Sequence, residues 1–389
     1  MAACYRRSAR PPPPRPPPHG VWRTTESLRS HAIMCMCATP VKRHERMAWP
    51  LIRDRTHESR HDLEINVREL AVGLASYVPP LSRRVARRSG GTSSARYCYA
   101  VWLRHLVLAH RNGLATDLGT VAELGPGDSL GVGLAALLSG ATTYYALDTV
   151  PYSTPDGTRA VFDALVALFD RRAPIPDADE FPRIRPRLDS YEFPAHILTD
   201  TRLRASLQPE RRAAIRAAID AMRGAGRAGW AHGTGEVGLA YIAPWHDPTI
   251  IAPGSVDLIV SQAVLDYPPD LAATYAAMDA WLTPGGFMSH TIDLSAHGLA
   301  LHWNSHWAYP DLVWMAVAGR RPYAPNRAPH SAHLALLRRR QYRIVGDLVE
   351  YDREGIARTQ VAHRFRHLSD ADLVTRRVVI QAIKPAHAI

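Results

Sequence analysis

Residues Thr120-Val-Ala-Glu-Leu-Gly-Pro-Gly-Asp-Ser-Leu130 decide how the rest of the chain is read. The run opens with the apolar, β-type residues of a buried strand (Val121, Leu124), breaks at Gly125 and Gly127, and continues as an apolar helix from Leu130 to Leu138. A second β-type run, Thr143-Tyr-Tyr-Ala-Leu147, ends on Asp148. Strand, glycine turn, helix, strand and terminal acid make a βαβ unit of the nucleoside-binding kind. The two glycines have no Cβ to bar a sharp bend or a close ligand. Asp148, about 20 residues further on, stands where a carboxylate accepts from both hydroxyls of a ribose. A dinucleotide fingerprint asks for a third glycine, so that a diphosphate can rest on the helix N-terminus. Leu130 occupies that position.

Glu123 stands two residues before Gly125, and this Glu-x-Gly-x-Gly order resembles motif I of the class I S-adenosylmethionine-dependent methyltransferases. The fullest form of that motif carries one more glycine, where this chain has Ser129. Two later stretches resemble the same family. Ser255-Val-Asp-Leu-Ile-Val-Ser-Gln-Ala-Val-Leu-Asp-Tyr267 is similar to its fourth strand and the loop after it, with Asp266-Tyr267 in place of the usual Glu-His. Trp281-Leu-Thr-Pro-Gly-Gly-Phe-Met288 is similar to the turn that feeds its fifth strand. The resemblance covers roughly residues 60–389. It implies an α/β fold: a Rossmann-like seven-stranded methyltransferase sheet with an N-terminal helical cap (61–118) and an insertion after the second strand (151–236) in a core of 119–389. It further implies S-adenosyl-L-methionine as cofactor, held by Glu123, Gly125, Gly127, Asp148 and Ser261, with the acid of motif I facing the cationic methionine end.

The chain has 389 residues and a net charge of +11. Residues 1–60 carry 12 Lys and Arg against 4 Asp and Glu, so most of the excess belongs to this segment. Its run Pro11-Pro-Pro-Pro-Arg-Pro-Pro-Pro18 favours polyproline II and bars helix or central strand. It reads as a disordered basic tail without the apolar region of a secretory signal, an extension upstream of a start near Met47. The remainder is nearly balanced in charge, and no Asn-Pro-Pro-Tyr-type motif follows the fourth strand, which argues against nucleic acid as acceptor. Three of the four cysteines lie in the tail, leaving Cys98 alone and no basis for a disulfide framework or a cysteine zinc site. No apolar run approaches membrane-spanning length, and a cytoplasmic location is expected.

Apolar spacing predicts helices over His61 to Tyr77, Ala95 to His110, Thr158 to Phe169, Arg211 to Met222 and Leu271 to Leu282. Arg96 and Tyr97, at the start of the second, would either reach the cofactor's carboxylate or simply pack and face solvent. Residues 173–200 are rich in proline and aromatics and form either a lid on the acceptor site or a structural buttress. Gly224 to Gly235 reads as a glycine linker before a third strand over Val237 to Ile242. In the family the turn that follows often meets the adenine, which would place Trp245 or Asp247 there. Phe287 to Ile292, Tyr342 to Glu350 and Thr375 to Ile383 supply the remaining strands. Asn326-Arg327 with Ser331 to Leu337 resembles a segment that precedes a helix and the sixth strand in bacterial methyltransferase-domain proteins.

Methyl transfer from a sulfonium asks mainly for proximity and orientation, plus a base for a hydroxyl or cationic amine. His290, His297, His302 and His306 follow the fifth strand and are the candidate bases; His306, between Trp303 and Trp307, ranks first and His290 second. No metal site is expected. The reading is methyl transfer to oxygen or nitrogen of a small molecule. An NAD-dependent oxidoreductase and a catalytically inactive binding module of the same fold are the alternatives.

Overall fold

A computed structural model describes residues 63–78, 92–222, 228–232, 237–245, 247–321 and 323–386. The basic tail, with the expected start near Met47, lies outside them. The described elements are α1 (Val67–Ala75), α2 (Ala95–Arg111), β1 (Thr120–Leu124), α3 (Gly131–Leu138), β2 (Thr143–Leu147), α4 (Pro155–Asp170), α5 (Asp200–Ser206), α6 (Pro209–Ala221), β3 (Ala228–His232), β4 (Gly238–Ile242), β5 (Val256–Gln262), α7 (Leu271–Trp281), β6 (Leu282–Asp293), α8 (Asp311–Ala318), α9 (His330–Arg339), β7 (Arg343–Tyr351), α10 (Asp370–Val374) and β8 (Thr375–Ile383).

These strands form one sheet in the order β3-β4-β2-β1-β5-β6-β8-β7. Strands β4, β2, β1, β5 and β6 run parallel, while β8 and β7 are antiparallel additions at one edge. This is the expected methyltransferase sheet with one strand more. The extra strand, β3, pairs antiparallel with β4 inside the stretch read as a glycine linker. An edge strand has to match only one neighbour, so its sequence carries little of the apolar alternation by which strands are recognised.

Alternation along the central strands sorts the core into two layers. Val121, Tyr144, Leu258 and Phe287 face the layer that holds α2, α3 and α4, whereas Ala122, Tyr145, Ile259 and Met288 face the layer of α7 and α9. Helix α2 lies in the first of these layers: eleven of its side chains are buried, Tyr99, Trp102 and Leu103 among them. Helix α1 packs on α8, where a Cβ at Gly73 would come within 2.1 Å of the Ala316 carbonyl.

The proline-rich stretch is a buttress. Its Ile175, Ile184, Ile197 and Leu198 enter the first layer. Its carbonyls, which no ladder satisfies, converge on the buried Arg104 of α2: the guanidinium donates to Pro176, Asp177, Ile184 and Pro186 at 2.6–3.3 Å. A buried cation with several acceptors thus does for this irregular segment what a strand partner would do elsewhere. The chain leaves β1 toward β2 and β4 on one side and returns to β5 and β6 on the other. That reversal puts a crevice at the carboxyl end of β1, where ligands bind in open α/β sheets.

Candidate active site

At that crevice, Gly125 and Gly127 both adopt positive φ, 69° and 73°, which side chains rarely tolerate. The Gly125 amide donates to the Leu147 carbonyl at 2.8 Å, locking the turn to the end of β2. The Gly127 amide donates to Oδ2 of Asp148 at 3.2 Å, and the Thr149 amide to Oδ1 at 2.7 Å. The tips of β1 and β2 are therefore joined through this one carboxylate. A carboxylate offers about four acceptor positions, so it retains capacity for a ligand hydroxyl. Burial raises the Asp148 pKa against the opposing effect of these amides. The bend is also approached by the loop after β5: a Cβ at Gly125 would stand 2.5 Å from a Val264 methyl.

Glu123 sits elsewhere than the resemblance implies. It is buried on the α3 side of the sheet, where it accepts from the Tyr144 hydroxyl at 2.5 Å and from the backbone of Gly133. It ties β1, β2 and α3 together instead of facing a methionine moiety, because period-2 alternation turns residue 123 toward the helix. Burial, with Asp148 adding to it, pushes its pKa up to about 7, although the Tyr144 and Gly133 bonds oppose the shift. A carboxyl raised above its ordinary 4.5 favours folding most fully below that value, and this contribution is lost as pH rises through 7. Glu123→Gln should therefore gain on the parent chain by on the order of 3 kcal/mol between pH 4 and pH 8, read by urea unfolding across that range. Parallel stability curves for the two proteins would remove the buried-carboxyl assignment.

Ser129 takes the place of the motif's last glycine and is fully engaged. Its hydroxyl donates to the Thr92 carbonyl at 2.5 Å, its amide donates to the Thr92 hydroxyl at 2.9 Å, and the Gly131 amide donates to its hydroxyl at 3.2 Å. Thr92 also donates to the Pro126 carbonyl at 2.8 Å. The helix terminus on which a diphosphate would rest thus already has a side-chain oxygen as acceptor.

The remaining sequence-derived residues are dispersed. Arg96 pairs with Glu180 at 2.5 Å, and Tyr97 packs edge-on against Phe181 with ring centroids 5.7 Å apart; the buttress holds both. Ser261 and His290 are register partners on β5 and β6, bonded to each other at 2.8 Å and buried on the α7 face. Burial, with His105 and His333 adding to it, lowers the His290 pKa to about 3. His306 does lie beside Trp307, at a ring separation of 4.7 Å, but it is fully buried under Trp314 and near Arg327. Burial and then the Arg327 charge lower its pKa to about 3 as well. Neither histidine presents a nitrogen to the crevice, which corrects both choices of base: both side chains are packed inside the core. Trp245 packs edge-on to Trp281, and Asp247 caps the short turn at Thr249.

Sequence reasoning missed a ring series that leads away from Asp148. Tyr323 lies within electrostatic reach of Asp148 and stacks tilted on Tyr152 at 5.9 Å. It meets Tyr267 edge-on at 5.5 Å, and Tyr267 stacks on His297 at 5.3 Å. His297 Nε2 lies 2.7 Å from Asp266. Burial opposes the His297 cation, but Asp266 and Asp293 outweigh it and raise its pKa. Asn326 fixes the arrangement by donating to the Leu265 and Pro268 carbonyls at 2.9 and 3.1 Å. Asp266-Tyr267 in place of Glu-His was the one sequence signal for it.

No protein-family model and no curated protein matches the chain. Among solved structures, similarity extends to an S-adenosylmethionine-dependent methyltransferase from Mesorhizobium loti (14% identity, 72% of this chain and 98% of that one, TM-score 0.34). A second is an S-adenosylmethionine-dependent methyltransferase from Methanosarcina mazei (11% identity, 72% and 98%, TM-score 0.37). A third is the Haemonchus contortus phosphoethanolamine N-methyltransferase 2 in complex with S-adenosyl-L-methionine (13% identity, 73% and 53%, TM-score 0.34). The order of the sheet, with its parallel centre and antiparallel closing pair, gives this chain the class I methyltransferase fold.

Proposed function

We propose that the chain binds S-adenosyl-L-methionine at the crevice and transfers its methyl group to a small molecule. The observation that carries this reading is the Asp148 carboxylate at the tip of β2, bridged to the glycine turn through the Gly127 amide at 3.2 Å. In this reading it receives the ribose hydroxyls, while the open glycine turn receives the methionine portion. The rival dinucleotide reading needs a free helix N-terminus for its diphosphate. Here the Ser129 hydroxyl already accepts from the Gly131 amide, and the third-glycine position is filled by the buried side chain of Leu130.

No helix among the described residues is long and apolar enough to cross a membrane. Fold alone does not fix an acceptor, and the small-molecule reading rests on the near-balanced charge of residues 61–389 in the sequence. Titration calorimetry with S-adenosylhomocysteine and with NAD tests the reading directly. Binding of the first and no heat from the second is expected; the reverse, or no binding of either, overturns it. A chain that binds the cofactor but transfers no labelled methyl group to any member of a metabolite panel would instead be a binding module.

A further inference from the structure

The methionine end of the proposed cofactor lacks the partners that the resemblance implied for it. Glu123 is buried against Tyr144, Arg96 is paired with Glu180, and Ser261 is bonded to His290 on the α7 face. Period-2 alternation turns the next residue, Gln262, to the opposite face, at the carboxyl end of β5 where that strand flanks β1. Gln262 is half-buried and opposes Thr291 on β6. Its Oε1 is buried, while its Nε2 is neither buried nor partnered among the described residues.

A series of hydrogen bonds on the α2 face of the sheet sets that orientation. Through Nε2 the buried Gln381 donates to the His105 carbonyl at 3.3 Å, which can only accept, and to the Ser289 hydroxyl at 2.9 Å. Its Oε1 accepts from Asn112 at 2.8 Å. The Ser289 oxygen thus accepts from Gln381, and its single proton goes to Nδ1 of His105, 2.7 Å away. His105 is an acceptor at Nδ1 and carries its proton on Nε2. Burial lowers its pKa to about 4, and the Gln262 side chain opposes the shift as a hydrogen-bond partner. Only an amide oxygen favours a protonated ring in this way, so Oε1 of Gln262 is turned toward His105 and its NH2 group outward.

We propose that Gln262 donates through Nε2 to the carboxylate of the cofactor's methionine portion, and that His105, Ser289 and Gln381 are positioning residues that hold its amide in this sense. This rests on the methyltransferase reading above. The loop after Gln262 closes on the glycine turn assigned to that portion, since a Cβ on Gly125 would meet a Val264 methyl at 2.5 Å. An amide with its oxygen turned inward offers a ligand two N–H donors and no acceptor. That suits a carboxylate, with a charge-assisted bond, and not the ammonium on the same carbon.

Two ligands separate this contact from the rest of the site: S-adenosylhomocysteine, and methylthioadenosine, which keeps the adenosine and the sulfur but has no carboxylate. Gln262→Leu is expected to weaken S-adenosylhomocysteine by about tenfold or more, as loss of a hydrogen bond to a charged group does. Its affinity for methylthioadenosine and its melting temperature should stay as in the parent chain. Gln262→Glu should weaken S-adenosylhomocysteine further, because a like charge then meets the carboxylate. Calorimetry measures the affinities, and the imidazole nitrogen resonances of His105 measure the positioning: a proton on Nε2 and none on Nδ1 is expected. Unchanged S-adenosylhomocysteine affinity in Gln262→Leu, an equal loss for both ligands, or a proton on Nδ1 overturns the proposal. If the parent chain binds no S-adenosylhomocysteine, the cofactor reading itself fails, and this one with it.

Discussion

Gly133→Ala is expected to cost about 3 kcal/mol, and Gly133→Val to prevent stable folding, because nothing around this position has room for a Cβ. A Cβ built there would lie 2.0 Å from two atoms of the Tyr144 ring. That ring is fully buried in the α2–α3–α4 layer and cannot swing into solvent. Moving it also breaks the hydrogen bond to Glu123, leaving a buried carboxyl without its donor. The helix propensity gained by replacing glycine, up to about 1 kcal/mol, is too small to offset this. Urea unfolding of the single variant measures the loss. The double variant Gly133→Ala with Tyr144→Ala isolates its cause: on the Tyr144→Ala background the added methyl should cost less than about 1 kcal/mol, a coupling expected only of residues in contact. Additive losses would mean that the collision is relieved elsewhere.

Asp148→Ala is expected to weaken S-adenosylhomocysteine binding by about 1–3 kcal/mol, the range for hydrogen bonds to a charged group. The carboxylate has two jobs, since it accepts from the Gly127 and Thr149 amides and, in the proposed reading, from the ribose. Asp148→Asn separates them. It keeps one carbonyl oxygen in place for the turn but removes the charge and half of the acceptors. An intermediate affinity with near-parental thermal stability is the expected result. Calorimetry and a melting curve on the same samples decide the matter: unchanged affinity in Asp148→Ala rules out a role in ribose binding. A fall in affinity that tracks melting temperature across both variants would assign Asp148 to the turn alone.

The elements that were legible in the amino-acid sequence are those whose reasons are local. Strand β8 runs over Thr375–Ile383 as its β-branched run predicts, and α2, α3, α4 and α7 follow their apolar spacing to within a few residues. The glycine turn and the acid after β2 were legible too, since glycine takes a backbone at φ 69° and 73° without the strain a Cβ brings. Strand β3 was not, and neither was the order in which the Pro-rich buttress meets Arg104, because those depend on partners distant in the chain.

Side-chain roles at the site depended on tertiary structure for the same reason. Which face of a strand a residue takes is a choice between two, made by the register of its neighbours; that choice buries Glu123 against Tyr144 and Ser261 against His290. His306 and His297 look alike in sequence, nine residues apart and each near polar neighbours. Packing gives one to a tryptophan cluster with its pKa lowered by burial, and gives the other a carboxylate 2.7 Å away. The sequence by itself determined a parallel sheet with a ligand turn at the end of its first strand. Only the tertiary structure decided which side chains reach that turn, because hydrogen-bond partners and desolvation are set by residues up to hundreds of positions away.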